Sequence, residues 1–213
     1  MNKKLENRCY DVNLEMREGN GSATIFGQPV VYSSRADLGY FDEIIEPGAL
    51  DNADLNDVRL CLNHDTSFVY ARSRRNNPNS TMRLRIAPSG LEIEADLALE
   101  ESPKARDLYT SIKRGDIDKM SFMFSVTDEE WEDLDSDHPT RHIRSIGSVV
   151  EVSAVTFPAY DSTEIYARSK EALESARSAV ETARRQIAET VDTDSRNKDL
   201  ELARAKFELK SIM

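Results

Sequence analysis

An α+β fold built mostly of mixed or antiparallel β-structure is predicted, on three observations. Apolar and polar residues alternate in short segments spread from Val12 to Val155, the period of half-buried strands. Before residue 160, one stretch alone combines helical apolar spacing with recognisable signals at both ends. From Ser162 onward the composition turns to Ala, Glu, Arg and Lys, with no Gly or Pro. Two units are therefore expected: a body over residues 1–161 and a charged helical C-terminal arm over 162–213.

Val12, Leu14 and Met16 alternate with Asn13 and Glu15 as a first strand, and Gly19-Asn20-Gly21 turns the chain into an extended Ala23–Gly27. Residues 33–48 read as a loop closed by Pro47-Gly48, a pair suited to a tight turn, with a short helix starting at Ala49-Leu50. Val58–His64 alternates again. Next comes the clearest hairpin: Met82, Leu84 and Ile86, then Ala87-Pro88-Ser89-Gly90, then Leu91, Ile93, Ala95 and Leu97. That turn sets Arg85 opposite Glu92 and Arg83 opposite Glu94, so both arginines meet carboxylates on the solvent face. Ser102 is a good N-cap, Pro103 suits the first helical position, and Ala105, Leu108, Tyr109 and Ile112 share one face before Gly115. In residues 119–127, Met120, Phe122, Phe124 and Val126 lie on one side, with Ser121, Met123 and Ser125 on the other. The acidic run Asp128–Asp137 reads as an exposed loop, and residues 143–157 as a long Val/Ile-rich strand. In the arm, Ile165, Leu173, Ala176, Val180, Ala183 and Ile187 form a stripe too thin for a core of its own, which needs a partner surface or leaves the arm partly mobile.

The chain has 213 residues, 39% of them hydrophobic, and a net charge of −11. That charge argues against a nucleic-acid binder with a broad basic surface. Residues 162–213 hold ten basic and ten acidic side chains, so the whole excess of negative charge sits in the body. No apolar run approaches the roughly 20 residues that span a bilayer, and the N-terminal lysines precede no secretory apolar segment. Cys9 and Cys61 form no disulfide framework, which fits a cytosolic setting with both thiols reduced.

Among the three histidines, His64 is open to two readings, a general base or a satisfied histidine at a strand end. His138 and His142 flank Pro139-Thr140-Arg141, a spacing that promises no rigid metal site. No GxSxG, HExxH, Walker or CxxC pattern occurs, which removes several hydrolase and metal classes but not a serine hydrolase of another fold. Ser121 is either a small packing residue on its strand or a nucleophile. Glu151 is a carboxylate inside the apolar strand Val149–Val155, where burial is costly without a partner. A histidine partner would satisfy it and orient the imidazole.

The order of motifs carries a resemblance. Gly21-Ser22-Ala23-Thr24-Ile25-Phe26-Gly27, Glu43-Ile44-Ile45-Glu46-Pro47-Gly48-Ala49-Leu50, Leu62-Asn63-His64-Asp65 and Ser89-Gly90-Leu91-Glu92-Ile93 come first. Ile112–Phe122, which contains Lys119-Met120-Ser121-Phe122, and Val150–Ala159, which contains Thr156-Phe157-Pro158-Ala159, complete the series. Over about residues 21–166 the chain resembles the prohead (capsid maturation) protease family of tailed phages. The resemblance implies Ser121 as nucleophile, His64 as general base, and Glu151 as the orienting acid, with Asp65 the competing carboxylate. It also implies a β-barrel-like core flanked by helices, because that family resembles herpesvirus assemblin in fold. The implied activity is a serine endopeptidase that needs no cofactor. It cleaves scaffold protein or the scaffold-like segment of the major capsid protein, and also itself, inside the assembling prohead in the host cytoplasm. The alternative is a catalytically inactive scaffold or capsid-assembly protein of the same fold. Met123 stands where relatives often have a small residue, and Phe68–Arg72 lacks the usual glycine, which leaves the substrate groove and oxyanion donors unassigned.

Overall fold

The computed structural model describes residues 5–10, 15–19, 22–156 and 176–190. In chain order these form β1 (Glu6–Tyr10), β2 (Glu15–Gly19), β3 (Ser22–Val31), β4 (Arg35–Asp37), β5 (Asp42–Ile45), β6 (Asp57–Leu62) and β7 (Ala71–Arg74). β8 (Met82–Ala87), β9 (Gly90–Leu97), α1 (Pro103–Lys113), β10 (Lys119–Glu132) and β11 (Thr140–Val155) follow, then a helix α2 over residues 176–190. The fold is mixed α+β and mostly strand, as expected. One seven-stranded sheet runs β1-β10-β11-β5-β4, with β6 paired to β11 and β7 paired to β6; a four-stranded sheet runs β2-β3-β9-β8. β11 is antiparallel to β10 and parallel to both β5, through Thr140–Ile143, and β6, through Glu151–Ala154. Among the described residues these pairings make two sheets and no closed ring.

The main core lies between the sheets and under α1. It joins Ile25, Met82, Leu91 and Ile93 of the small sheet to Leu60, Phe122, Phe124, Ile143 and Val152 of the large one, with Leu108 and Ile112 from the helix. The predicted hairpin has the expected register, Arg85 opposite Glu92 and Arg83 opposite Glu94, and Arg85 ion-pairs with Glu92. Gly90 is required at its turn: φ is +140°, and a Cβ there would sit 1.9 Å from the Val30 carbonyl oxygen. At α1, the Ser102 hydroxyl accepts from Ala105 N at 3.2 Å, and Gly115 follows the helix at φ +76°.

A buried ion cluster reveals how the large sheet curls. Arg8 on β1 bonds Glu43 on β5 through Nε and, at 2.7 Å, through Nη2; Arg141 on β11 reaches the same carboxylate at 2.9 Å. Glu6 and Glu129 complete the cluster by accepting from Arg141. Arg8 lies beside Phe122 of β10, whereas Glu43 lies beside Arg141, which pairs with Trp131 at the far end of that strand. On a straight strand those two positions would stand about 30 Å apart. The ribbon bends instead through register irregularities between Met123 and Glu129, which bring its two ends together.

Several sequence expectations shift here. The predicted loop 33–48 contains β4 and β5, because Phe41, Glu43 and Ile45, all 0% exposed, alternate inward; a buried glutamate in that series hides the period. The acidic run is strand as far as Glu132. Its carboxylates meet cations across the ladder, with Glu129 on Arg141 and Glu130 on Arg144 at 2.6 Å. Ala49-Leu50 lies in turns rather than a helix. β1 and β7 carry no alternation of large apolar residues that would predict them. Val12, Leu14, Ile165 and Leu173 lie outside the described residues.

The partner surface that the arm's stripe calls for is on the body itself. Ala176, Val180 and Ala183 of α2 pack on Leu38, Phe41 and Leu134 in a satellite cluster separate from the main core. Phe41 in turn meets Trp131 edge to face at 4.9 Å. Arg184 donates to the Leu134 and Ser136 carbonyls at 2.9 and 2.7 Å, while Ile187 stays exposed.

Candidate active site

β6 ends at Leu62, and the next two residues both enter the left-handed region, Asn63 at φ +52° and His64 at φ +61°. Asparagine and histidine are among the non-glycine residues that tolerate it best. The turn is fastened to the end of β11. Asn63 N donates to the Ala154 carbonyl at 2.9 Å, and Asn63 Oδ1 accepts from Thr156 N at 2.9 Å and Thr156 Oγ1 at 3.2 Å. His64 N donates to Ser153 Oγ at 3.0 Å. This kink turns the imidazole back over β11.

There His64 Nδ1 meets Glu151 Oε2 at 2.7 Å. Glu151 is 2% exposed, and its other oxygen accepts from Ser153 Oγ, so both carboxylate oxygens are satisfied inside the fold. With Nδ1–H donated to the carboxylate, the neutral ring carries its lone pair on Nε2, the form that accepts a proton. Asp65, the competing carboxylate, is exposed and accepts from Ser67 N at 2.9 Å within its own turn. The Ser67 hydroxyl, and then that backbone bond, hold its carboxyl below the usual range.

Ser121 lies on β10, directly opposite Ser153 on β11, with Cys61 of β6 next along the same row. Opposed residues stand about 5 Å apart at Cβ, so Ser121 is one strand from the serine that holds His64. Its hydroxyl is 1% exposed and donates to the Arg8 carbonyl of β1 at 2.7 Å. The structure thus joins His64 to Glu151 by direct contact and sets Ser121 alongside, with its proton directed at β1. Burial, and then the Glu151 charge, push the Cys61 thiol up to about 11, so it stays protonated at neutral pH.

Asn63 and Ser153 are site residues beyond the predicted three. Each had a local signal: Asn63 directly precedes the candidate histidine, and Ser153 sits two residues after Glu151, on the same strand face. Elsewhere, His138, Asp37 and Asp42 place donor atoms within 4.8 Å of one another, with Arg35 already ion-paired to Asp42. His142 lies between Glu46 at 2.6 Å and Glu132 at 3.2 Å.

A ring nitrogen held by a buried carboxylate, one strand from a serine, is the equipment of hydrolases that work by acyl transfer. The chain belongs to the caudovirus prohead serine protease family, whose model matches residues 10–177 and so spans His64, Ser121 and Glu151. No curated protein and no solved structure matches it. The family is one of capsid maturation proteases. No helix among the described residues is long and apolar enough to cross a membrane.

Proposed function

We propose that the protein is a serine endopeptidase that cleaves scaffold protein, or the scaffold-like segment of the major capsid protein, inside the assembling prohead, and also processes itself. The observation that carries this is the 2.7 Å contact between His64 Nδ1 and the buried Glu151, one strand from Ser121. Ser121 turns about χ1 from the Arg8 carbonyl toward His64, gives its proton to Nε2 and attacks the scissile carbonyl. The imidazolium, stabilised by Glu151, returns the proton to the leaving amine, and water then releases the acyl group by the same route. The curl of the β10–β11 ribbon supports a barrel-like core, as in herpesvirus assemblin. Co-expression with the major capsid protein of the same phage, followed by intact-mass measurement, is expected to show a discrete trimmed product. A fluorophosphonate probe is expected to label Ser121. An untrimmed capsid protein and an unlabelled serine would refute the assignment.

One observation favours a second reading, a catalytically inactive assembly protein: the Ser121 hydroxyl is buried and occupied by Arg8. The labelling experiment separates the two.

For the arm from residue 162, the proposed role is docking on scaffold during assembly. Among the described residues, none beyond Ala154 contributes to the buried main core, which supports a separable arm. A chain ending at Arg168 uncovers Leu38, Phe41 and Leu134, yet is expected to stay folded, cleave a supplied peptide and fail to enter capsids. Unfolding of that chain would assign the arm to the catalytic body.

A further inference from the structure

We propose that Ser153 is a positioning residue for the reaction, one hydroxyl that fixes both His64 and Glu151. The inference rests on the peptidase reading of His64 and Ser121 given above.

Ser153 is 0% exposed on β11 and uses its hydroxyl in both directions. Oγ accepts from the backbone N–H of His64 at 3.0 Å and donates to Glu151 Oε1. The first bond holds a backbone in the left-handed region, at φ +61°, which a non-glycine residue keeps only when its surroundings determine it. The second occupies the carboxylate oxygen that faces away from the imidazole. Glu151 Oε2 then points at His64 Nδ1. A packing serine in a strand needs one partner for its hydroxyl. Ser153 instead ties the two members of the base pair to each other, and it does so directly opposite Ser121 in the β10–β11 register. Beside the Asn63 bonds that fasten the turn, the His64 backbone and the Glu151 carboxylate that orients the ring therefore share one oxygen as a restraint.

The other ionisable groups around the pair are Cys61 and Arg59 on β6, Asp65 in the turn, and Lys104 at the start of α1, whose charge acts on Asp65. None of them changes in a Ser153 variant. When the Ser153 donor is removed, negative charge on Glu151 concentrates on the oxygen that faces the ring. The imidazolium form of His64 is then favoured, and its titration moves to higher pH.

The test is Ser153→Ala, read in two ways. Peptide cleavage across pH is expected to show kcat/KM lowered about ten- to hundredfold, the range for losing a hydrogen bond to a charged group. The acid limb is expected to move upward by about half a pH unit or more. NMR titration of the His64 ring, assigned with His64→Gln, is expected to show the same upward movement. Ser153→Thr, which keeps the hydroxyl, is expected to restore the wild-type titration. If Ser153→Ala does not fold, Ser153→Cys places a weaker donor at the same point and is read by the same titration. An unmoved His64 titration with kcat/KM within about twofold of wild type overturns the proposal. So does fluorophosphonate on the peptide that carries Ser153, which would make it the nucleophile. Failure of the peptidase reading itself appears elsewhere, as an unlabelled Ser121 in the wild-type protein, while the His64 titration still decides what Ser153 does.

Discussion

Ser121→Ala is expected to abolish trimming of the capsid protein, with kcat reduced by on the order of 10⁴–10⁶, the range for losing the nucleophile of a cooperating set. The fold should survive. The substitution removes one methyl-sized polar group and one hydrogen bond, from Ser121 Oγ to the Arg8 carbonyl at 2.7 Å. That bond is worth about 1 kcal/mol, and β1 keeps its ladder to β10 and its ion pairs to Glu43. Intact-mass analysis of co-expressed capsid protein and a thermal melt of the same sample read the two effects separately. Persistent trimming at the wild-type rate would place the nucleophile elsewhere. A collapse of the melt would mean that Ser121 serves chiefly to hold β1.

Glu43→Gln is expected to produce the largest loss of stability. Glu43 is 0% exposed and lies between two buried guanidinium groups, those of Arg8 and Arg141. Without its charge those cations lose their most buried counterion and retain ion pairs to Glu6 and Glu129, both nearer the surface. Breaking a buried charge pair by removing one partner costs about 3–5 kcal/mol, which for a chain of this size lowers the melting temperature by roughly 10–15 °C. The same cluster sets an acid limit. Burial opposes ionisation of Glu6, but the hydrogen bond from Arg141 and the charges of Arg8 and Arg141 outweigh it and hold its carboxyl at about 2. A depressed carboxyl contributes stability that is fully present above its unfolded value near 4.5 and is lost as pH falls toward 2. That contribution is on the order of 3 kcal/mol. Denaturant midpoints measured from pH 5 to pH 2 should fall steeply in the wild type and less steeply in Glu6→Gln. A parallel fall in both would remove Glu6 from the explanation.

Local patterns alone determined a good deal of this molecule. The Met82–Leu97 hairpin, its Arg85–Glu92 and Arg83–Glu94 register, the capped helix behind Ser102-Pro103 and the paired faces of Met120–Val126 all follow from period, turn and cap chemistry within a few residues. The contact between His64 and Glu151 was also legible, because Glu151 breaks an apolar strand in a way that demands a partner and a histidine was offered as that partner. Only the tertiary structure decided that Glu151, and not Asp65, holds the imidazole; Asp65 closes its own turn with Ser67. Only the tertiary structure could show Ser153 bridging His64 and Glu151, since a serine in a strand looks alike whether it packs, pairs or positions. β5 and the extension of β10 to Glu132 were hidden for a related reason. Glu43, Glu129 and Glu130 read as surface carboxylates until the cations that neutralise them, Arg8, Arg141 and Arg144, are brought across the curled sheet from residues as many as 98 positions away in the chain. Alternation and caps are properties of neighbours in sequence. Charge neutralisation in a core belongs to neighbours in space, and no local pattern records it.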